Sequence, residues 1–470
     1  MSISDNPHIL VYPFQTSGHI IPLLDLTHRL LNRGLVITVI VTPNNLPLLH
    51  PFLSSSQFHH LVLPSPQIPP DSKNRLVAMM RFMRHHHYPA LLSFFQSHSS
   101  PPVAIISDFF IGWTHELASQ IGIPRIVFSP SAAFAFSITC STWRHHFTQI
   151  DDPENPDDVL VEFPSIPNSP SYRLWQISHI YKASRDSDWE FFKDCFMANL
   201  SSWGIVFNSF AELEGIYLHH LKKDFPNDNV WAVGPVLPLT DDVVGSTNRG
   251  GSSSHDVLTW LDSRKEDSVV YVCFGSRAWL TCKQMAELVT SLEKSKVSFI
   301  LCDRQPNDGS DDVGVVPDGF KDRVGERGYV IKGWAPQVAI LRHRAVGAFL
   351  THCGWNSVLE GISAGVVMLT WPMGADQYTN TQLLVDQLGV GIRVGESTKK
   401  IPDSSDLARI LDGSVKGSLE ERKKAKKLQE AAGNAIIKGG SSDQDLDGLI
   451  VRLYQLKLKN LSNYPLQEQH

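Results

Sequence analysis

The 470-residue sequence lacks several features whose absence excludes whole classes of protein. It has no basic excess: 42 Lys and Arg stand against 48 Asp and Glu, a net charge of −6, so binding to a nucleic-acid backbone is not expected. It has no run of about 18 apolar residues, which argues against a transmembrane helix. The opening segment carries no basic region and its apolar run stops at Pro13, so we expect no secretory signal.

Two sequence patterns are missing as well. The six cysteines are scattered without a Cys-x-x-Cys pair, which predicts reduced thiols and a cytoplasmic location. No Gly-x-Gly-x-x-Gly follows the first apolar run, 8–14, where the segment QTSGH holds a single glycine. This argues against a dinucleotide-dependent oxidoreductase, an alternative class that is also built on parallel sheets.

The sequence does contain a repeated alternation of short β-branched runs with helical segments. Continuous apolar strands separated by helices predict parallel sheets that are covered on both faces. A polar stretch rich in Gly, Ser and Asp, 240–255, interrupts the alternation. The predicted strands are 8–14, 35–43, 104–110, 123–130 and 203–210 before this stretch, and 268–274, 296–302, 328–334, 345–351, 366–372 and 390–394 after it.

We therefore expect an α/β protein with two parallel-sheet domains. The first domain is predicted to span 1–239, and the second 256–450. The stretch 240–255 between them is predicted to be a linker or mobile loop, because its composition offers little that a core would bury. The C-terminal segment, 451–470, is expected to pack back on the first domain.

The loops that follow the strands of a parallel sheet emerge at one edge, where open α/β sheets bind ligands. In the second half these loops include the four segments 275–276, 334–337, 352–357 and 374–377. We expect the four segments to converge on one binding site.

The third of these segments, in THCGWNS, places His352, Gly354 and Asn356 before a helix predicted to start near Ser357. The unpaired amides and the positive dipole end of a helix start suit an anion such as a diphosphate. The same residues have a purely structural interpretation, since Ser357 and Glu360 have the spacing of a capping box. Spacing alone leaves both interpretations open.

Two further features are ambiguous in isolation. Trp334 follows a strand and offers a flat face to a nucleobase, but a buried structural tryptophan would look the same in the sequence. Asp376 and Gln377 follow another strand, where they suit hydrogen bonds to sugar hydroxyls, although such a pair also occurs at ordinary helix starts.

Taken together, the 44 residues from Trp334 to Gln377, with HCGWNS and a final DQ intact, resemble the signature box of plant UDP-dependent glycosyltransferases of secondary metabolism. Most of the chain is similar to that family, including VYPFQTSGH, WGIVFNSF, WAVGP, CFGS and GFKDRVGERG. The segment RAVGAFLTHCGWNSVLEG is most similar to the corresponding segment of the phenolic and flavonol glycosyltransferases numbered as family 89. One departure is FILC at 299–302, where family members often read FIWV.

The resemblance implies the GT-B fold, two Rossmann-like domains facing across a cleft, with the acceptor in the first domain and the UDP-sugar in the second. It implies that Trp334 stacks on uracil, that Ala335 reads the edge of the base, and that Gln337 and Glu360 bind the ribose. It also implies a diphosphate site and a sugar site. Their residues are Gly275, Ser276, His352, Gly354, Asn356 and Ser357 for the diphosphate, and Trp355, Asp376 and Gln377 for the sugar.

The resemblance also places a catalytic base at His19, in the loop after the first strand, and a carboxylate that orients it at Asp108. Glycosyl transfer needs a base because a neutral hydroxyl is a poor nucleophile, and the ordinary pKa of imidazole suits this role. Taken alone, a histidine at a helix start is better explained as a solvated or capping residue. No metal is required, and we expect none at the runs of adjacent histidines, whose side chains diverge.

The predicted reaction is inverting transfer of a sugar from a UDP-sugar to a hydroxyl of a phenolic small molecule such as a flavonol. Gln377 favours glucose, because a terminal Gln in this box usually accompanies UDP-glucose. UDP-rhamnose remains an alternative donor, and a non-catalytic nucleotide-sugar binder is the alternative of a different class. We expect a monomer with no further cofactor. The aromatic side chains expected to wall the acceptor pocket are Phe82, Tyr88, Phe109, Phe134 and Trp143.

Overall fold

The computed structural model describes two compact units of the chain. The first unit comprises residues 1–237 and 435–470, and the second comprises residues 238–434. The predicted linker, 240–255, lies almost entirely outside the described residues. The described ranges are 6–69, 71–146, 159–177, 186–237, 254–304, 312–416 and 420–462.

The first unit is built on a seven-stranded parallel sheet. The strands of this sheet are β1 (His8–Tyr12), β2 (Val36–Val41), β3 (Phe58–Val62), β4 (Ala104–Asp108), β5 (Arg125–Ser129), β8 (Gly204–Phe207) and β9 (Val230–Ala232). Two further strands of the unit, β6 (Leu160–Glu162) and β7 (Ser171–Arg173), form a separate antiparallel pair. The order across the sheet is β3-β2-β1-β4-β5-β8-β9, and β6 pairs with β7.

The second unit contains a six-stranded parallel sheet. Its strands are β10 (Val269–Cys273), β11 (Ser298–Asp303), β12 (Gly328–Lys332), β13 (Val346–Thr351), β14 (Val367–Thr370) and β15 (Gly391–Arg393). They are arranged in the order β12-β11-β10-β13-β14-β15. The prediction of two parallel-sheet domains is confirmed, and each predicted run contains a strand.

Helices connect the strands in both units. They are α1 (Ser17–Asn32), α2 (Arg75–Ser97), α3 (Thr114–Ile121), α4 (Ala133–Ser141), α5 (Ser187–Leu200), α6 (Ala211–Lys222), α7 (Ser254–Asp262), α8 (Cys282–Lys294), α9 (Phe320–Val324), α10 (Gln337–Arg342), α11 (Trp355–Ala364), α12 (Gln377–Gln382), α13 (Ser404–Ser414), α14 (Glu420–Ile436) and α15 (Ser441–Ser462). Within the described ranges, no helix combines the length and the apolar character that a bilayer crossing needs.

The chain returns to the first unit earlier than the sequence indicated. Leu446, Leu449 and Leu453 of α15 are buried in the same core as Ile9 and Val11 of β1. Burial of a leucine side chain of this kind contributes about 1.5–3 kcal/mol. The segment that packs on the first unit therefore includes residues before 451, which the sequence analysis had assigned to the second domain.

A buried histidine at the start of β1 links stability to pH. The Nδ1 atom of His8 donates to the Ser100 carbonyl oxygen at 2.9 Å, and Nε2 accepts from Thr38 Oγ1 at 2.8 Å. Burial lowers the pKa of His8 to about 4. The folded protein therefore holds a neutral ring that the unfolded chain protonates below its ordinary pKa. The stability contributed by this ring is complete above about pH 6.5 and is lost as the pH falls toward 4.

We predict that His8→Gln reduces the acid sensitivity of the fold. The lowered pKa corresponds to roughly 3 kcal/mol of stability between neutral pH and about pH 4. The measurement is the urea midpoint of unfolding at neutral pH and at about pH 5, where the native protein should show the larger decrease. His50→Gln, which changes an exposed imidazole, is the control. An equal decrease in the native protein and in His8→Gln would contradict the prediction.

Candidate active site

Four loops of the second unit carry the residues that the sequence analysis singled out. They follow β10, β12, β13 and β14, which lie in one parallel sheet. Because the carboxyl ends of parallel strands lie at one edge, the structure places the four loops at the same edge of this unit. The loop residues are 274–276, 333–336, 352–354 and 371–376.

The imidazole of His352 is packed between two glycines. A Cβ atom added to Gly275 would lie 2.5 Å from Nε2 of His352, and one added to Gly354 would lie 2.6 Å from the same atom. Gly275 has a φ of +77°, in the left-handed region that favours glycine, and the half-buried Ser276 follows it. The turn after β10 and the loop after β13 are therefore held in contact through one ring.

The protonation state of His352 follows from this packing. Burial lowers the pKa of His352 to about 4, so the imidazole is neutral at neutral pH. A neutral imidazole has one N–H donor and one acceptor nitrogen. His352 is therefore able to donate a single hydrogen bond to an anion at this edge of the sheet.

Helix α11 starts earlier than the sequence suggested. It begins at Trp355, with Gly354 as its N-cap residue and no side-chain cap, and Asn356 and Ser357 lie in its first turn. The capping-box interpretation of Ser357 and Glu360 is therefore wrong, because Ser357 lies inside the helix. The first amides of a helix have no carbonyl partner within it, and the helix dipole adds positive potential there. This end of α11 suits an anion.

Gln337 joins Ser357 and Glu360 in a hydrogen-bonded network. Its side-chain nitrogen donates to Ser357 Oγ at 3.0 Å and to Glu360 Oε2 at 2.5 Å. The hydroxyl of the buried Tyr271 donates to Gln337 Oε1 at 3.2 Å. The structure thus brings together both residues that were predicted to bind a ribose.

Trp334 is half-buried and is covered by a cation that the sequence analysis missed. The Cζ atom of Arg304 lies 5.0 Å from the centroid of the Trp334 ring, and its Nη1 donates to the carbonyl oxygen of Gly275 at 3.3 Å. Arg304 directly follows β11, at the same edge of the sheet as the other loops. This position after a strand could have identified Arg304 as a candidate site residue from the sequence. Ala335 is buried, and its carbonyl oxygen accepts from the Gln337 amide at 2.8 Å.

Gln377 holds the loop after β14. Its Oε1 atom accepts hydrogen bonds from the amides of Met373 at 2.8 Å and Gly374 at 2.9 Å. Toward a ligand the Gln377 side chain therefore offers its –NH₂ group, which is a donor. Asp376 precedes it and is half-buried. Trp355 was also assigned to the sugar, but its side chain is only 3 % exposed, so its ring offers little surface.

In the first unit, His19 and Asp108 are hydrogen-bonded to each other. The sequence placed His19 in a loop, whereas it lies in the first turn of α1. Its Nδ1 atom is 2.8 Å from Asp108 Oδ2; the carboxylate is fully buried and the imidazole is 17 % exposed. Because an ionised carboxylate only accepts, Nδ1 carries the proton and Nε2 keeps a lone pair. The Phe110 amide donates to the second carboxylate oxygen at 2.9 Å, which fixes the orientation of the carboxylate.

A buried arginine supports the strand that carries Asp108. Arg125 is 1 % exposed, and its Nη2 donates to the backbone oxygen of Asp108 at 3.2 Å. Its other nitrogens donate to Ser107, Asn199 and Ser202. Burial lowers the pKa of Arg125 to about 9, so the guanidinium stays charged at neutral pH. Two of these four hydrogen bonds, to Ser107 and Asp108, therefore hold the end of β4 in place.

Aromatic rings surround the imidazole of His19. Phe110 stacks on it at a centroid distance of 4.9 Å, and Phe14 and Phe109 contact it at 5.5 and 5.7 Å. Phe109 is one of the five residues predicted to wall an acceptor pocket, while Phe14 was not singled out. These rings make the surroundings of His19 apolar, which suits a flat apolar molecule.

Among the described residues, the other four predicted pocket residues make no ring contact with His19. Phe134 is fully buried and stacks on Tyr217 at 4.2 Å, and Trp143 is 3 % exposed. Neither ring presents a surface to a ligand in this structure. Phe82 and Tyr88 are half-buried residues of α2.

Comparisons with known proteins show which family this chain is similar to. A family model described as "UDP-glucoronosyl and UDP-glucosyl transferase" matches residues 221–417. The chain is 50 % identical to flavonol 3-O-glucosyltransferase UGT89B1 of Arabidopsis thaliana, over 96 % of this chain and 97 % of that protein. It is 40 % identical to the flavonol 7-O-rhamnosyltransferase of the same plant, over 95 % and 98 % of the two chains.

The fold of this chain is similar to a solved structure over almost the whole length of both chains. The crystal structure of Arabidopsis thaliana UGT89C1 complexed with UDP-L-rhamnose has a TM-score of 0.77 and 39 % identity, covering 96 % of this chain and 99 % of that one. The same protein complexed with quercetin has a TM-score of 0.76 and 37 % identity, covering 96 % and 100 %.

Two α/β units, each built on a parallel sheet of this topology, define a glycosyltransferase of the GT-B type. The chain belongs to the family of UDP-glycosyltransferases, and it is an enzyme of that family.

Proposed function

We propose that this enzyme transfers glucose from UDP-glucose to a hydroxyl of a flavonol-type phenol, with inversion at the anomeric carbon. The observation that carries the proposal is the hydrogen bond from His19 to Asp108, which leaves Nε2 of a neutral imidazole beside aromatic rings. The names of two relatives, a flavonol 3-O-glucosyltransferase and a flavonol 7-O-rhamnosyltransferase, support the acceptor class.

His19 acts as the general base in the proposed reaction. Its Nε2 atom takes the proton of the acceptor hydroxyl, whose oxygen attacks the anomeric carbon while the bond from that carbon to UDP breaks. The positive charge that develops on the ring is stabilised by the Asp108 carboxylate on Nδ1. A base in this position contributes about 10²–10⁴-fold to the rate.

The departing UDP gains negative charge on its terminal phosphate. The first amides of α11 and the neutral imidazole of His352 are donors that stabilise this charge as it develops. These donors supply the electrostatic stabilisation of the leaving group, so the proposal includes no metal ion.

Glucose is proposed as the sugar because the –NH₂ group of Gln377 suits hydrogen bonding to sugar hydroxyls. UDP-rhamnose is the second candidate donor. It is supported by the 40 % identity to a rhamnosyltransferase and by the likeness to a protein that was solved with UDP-L-rhamnose.

A matrix of donors and acceptors tests the proposal. The protein is incubated with UDP-glucose, UDP-galactose or UDP-rhamnose and with a panel of flavonols and simple phenols, and the products are read by mass spectrometry. We expect a flavonol hexoside from UDP-glucose. A deoxyhexoside formed only from UDP-rhamnose would replace glucose by rhamnose, and no product from any pair would overturn the proposal.

We predict that Gln377→Glu lowers kcat/KM for UDP-glucose about tenfold, the effect of one lost hydrogen bond of about 1.4 kcal/mol. A glutamate keeps an oxygen that accepts from the amides of Met373 and Gly374, but it removes the –NH₂ donor. The unfolding temperature, measured in parallel, should therefore stay unchanged. Equal kcat/KM in the two proteins would show that the amide makes no contact with the sugar.

Removal of the cation over Trp334 should weaken donor binding. We predict that Arg304→Met raises the Kd for UDP about tenfold, because a cation–π contact and one charge near the diphosphate are lost. Titration calorimetry measures the affinity. Arg409→Met, in which an exposed arginine of α13 is replaced, is the matched control and should bind UDP as the native protein does. An unaltered Kd in Arg304→Met would remove Arg304 from the site.

We also propose that the reaction takes place in the cytoplasm, because all six cysteines are free thiols, as in a reducing compartment. The expected monomer stays a prediction, which light scattering of the purified protein measures.

A further inference from the structure

Two cysteines lie opposite each other at the edge of the second unit that carries the donor residues. Cys273 ends β10, and Cys302 lies on the neighbouring parallel strand β11. Val272 is paired with Leu301, so the next residues along, Cys273 and Cys302, are opposite each other with side chains on the same face. Neighbouring strands are about 4.8 Å apart, within the range of Cα separations that a disulfide spans.

The two cysteines interact electrostatically. The neighbouring Cys302 thiol has the largest effect, and with the Gly275 backbone and the Tyr271 hydroxyl it favours the thiolate form of Cys273. This pairing lowers the pKa of Cys273 despite its burial and raises the pKa of Cys302. Of the two sulfurs, Cys273 is therefore the one favoured as thiolate, the form that reacts with oxidants.

The other four cysteines lack the lowered pKa of Cys273. Cys282 is exposed, and burial raises the pKa of Cys140, Cys195 and Cys353. Burial suppresses the reactive thiolate in these three residues.

We propose that Cys273 and Cys302 form a reversible disulfide on exposure to hydrogen peroxide, and that the disulfide weakens UDP binding at this edge. In the first step the Cys273 thiolate attacks peroxide, which gives a sulfenic acid and hydroxide. In the second step the Cys302 thiol attacks the sulfenic sulfur, which forms the S–S bond and releases water. In total, two thiols are oxidised by two electrons and one peroxide is reduced to two waters. A dithiol reductant reverses the change.

The expected effect on UDP follows from the position of the two cysteines beside two donor turns. Cys302 Sγ is 3.4 Å from the Gly333 carbonyl oxygen, to which it donates, and Gly333 directly precedes Trp334. Cys273 lies two residues before Gly275, which packs on His352. Oxidation removes the thiol proton of Cys302 and the thiolate of Cys273, so it alters both turns. This part of the inference rests on the proposed function of these turns in donor binding.

The test uses the full chain with Cys282→Ser, which removes the exposed thiol. The protein is treated with hydrogen peroxide, digested without reductant and analysed by mass spectrometry, and its UDP affinity is measured by calorimetry before and after treatment. We expect a peptide pair linked through Cys273 and Cys302, at least a tenfold rise in the Kd for UDP, and recovery with dithiothreitol.

Cys302→Ser in the same background is the matched variant, since its hydroxyl keeps a donor for Gly333 and forms no disulfide. It should bind UDP as the reduced parent does and should not respond to peroxide; Cys302→Ala serves the same purpose if the serine variant is unstable. Absence of the linked peptide, or a linked protein with unchanged UDP affinity, would overturn the inference. Failure of the reduced protein to bind UDP would refute the donor site instead, while the linked peptide would still decide whether the thiols pair.

Discussion

Replacement of His19 by alanine should lower kcat for flavonol glucosylation by about 10³-fold and leave the affinity for UDP unchanged. The imidazole supplies the Nε2 lone pair that takes the acceptor proton, and its hydrogen bond to Asp108 fixes that tautomer. The residues proposed to bind UDP belong to the other unit of the chain. The loss should therefore fall on the chemical step, as measured by initial rates together with UDP titration.

Two further variants sharpen this test. Asp108→Asn should also reduce kcat, by about 10²–10⁴-fold, because an amide favours the wrong tautomer of His19. His28→Ala replaces an exposed histidine of the same helix, α1, and should leave kcat unchanged. Native turnover in a folded His19→Ala protein would exclude His19 as the base.

Substitution of Gly275 by alanine should raise the Kd for UDP about 100-fold, an effect of about 2.7 kcal/mol. The added Cβ would lie 2.5 Å from the imidazole of His352, and the φ of +77° is strained for any residue with a side chain. The turn after β10 and the loop before α11 must then separate. Calorimetric titration of UDP measures the effect, with circular dichroism to confirm that the variant is folded.

A matched glycine gives the control for this variant. Gly413→Ala, in α13, adds a Cβ that meets nothing within 4 Å, so its UDP affinity should equal that of the native protein. If the clash with His352 is the cause, Gly275→Ala should cost less affinity in a His352→Ala background than alone. A folded Gly275→Ala protein with native affinity would contradict the proposed packing.

The parallel sheets could be predicted because strands buried on both faces are continuous apolar runs. β1 and β13 are completely buried, and both were visible in the sequence. β3 was not predicted, since it lies at the edge of the sheet and exposes His59 and His60. β9 was also missed, because three residues carry too little periodicity. The position of a strand at the edge of a sheet and the length of its pairing are set by the folded sheet. A local sequence pattern contains no information about either property.

The donor edge was more predictable than the acceptor side. Trp334, His352 and Gln377 follow strands, and strand ends in a parallel sheet meet at one edge whatever the details of packing. Phe134 and Trp143 were chosen because they are aromatic, but an aromatic residue in a sequence shows no sign of whether it faces a ligand or the core. The same limit explains why Phe14 had to be found from its contact with His19.

A crystal structure of the protein with UDP tests the central claim most directly. The claim predicts that the diphosphate lies within hydrogen-bond distance of the first amides of α11 and of the Gly275 turn, with the uracil stacked on Trp334 and the ribose at Glu360. Electron density for the nucleotide at any other place in the second unit, or only in the first unit, would contradict the account.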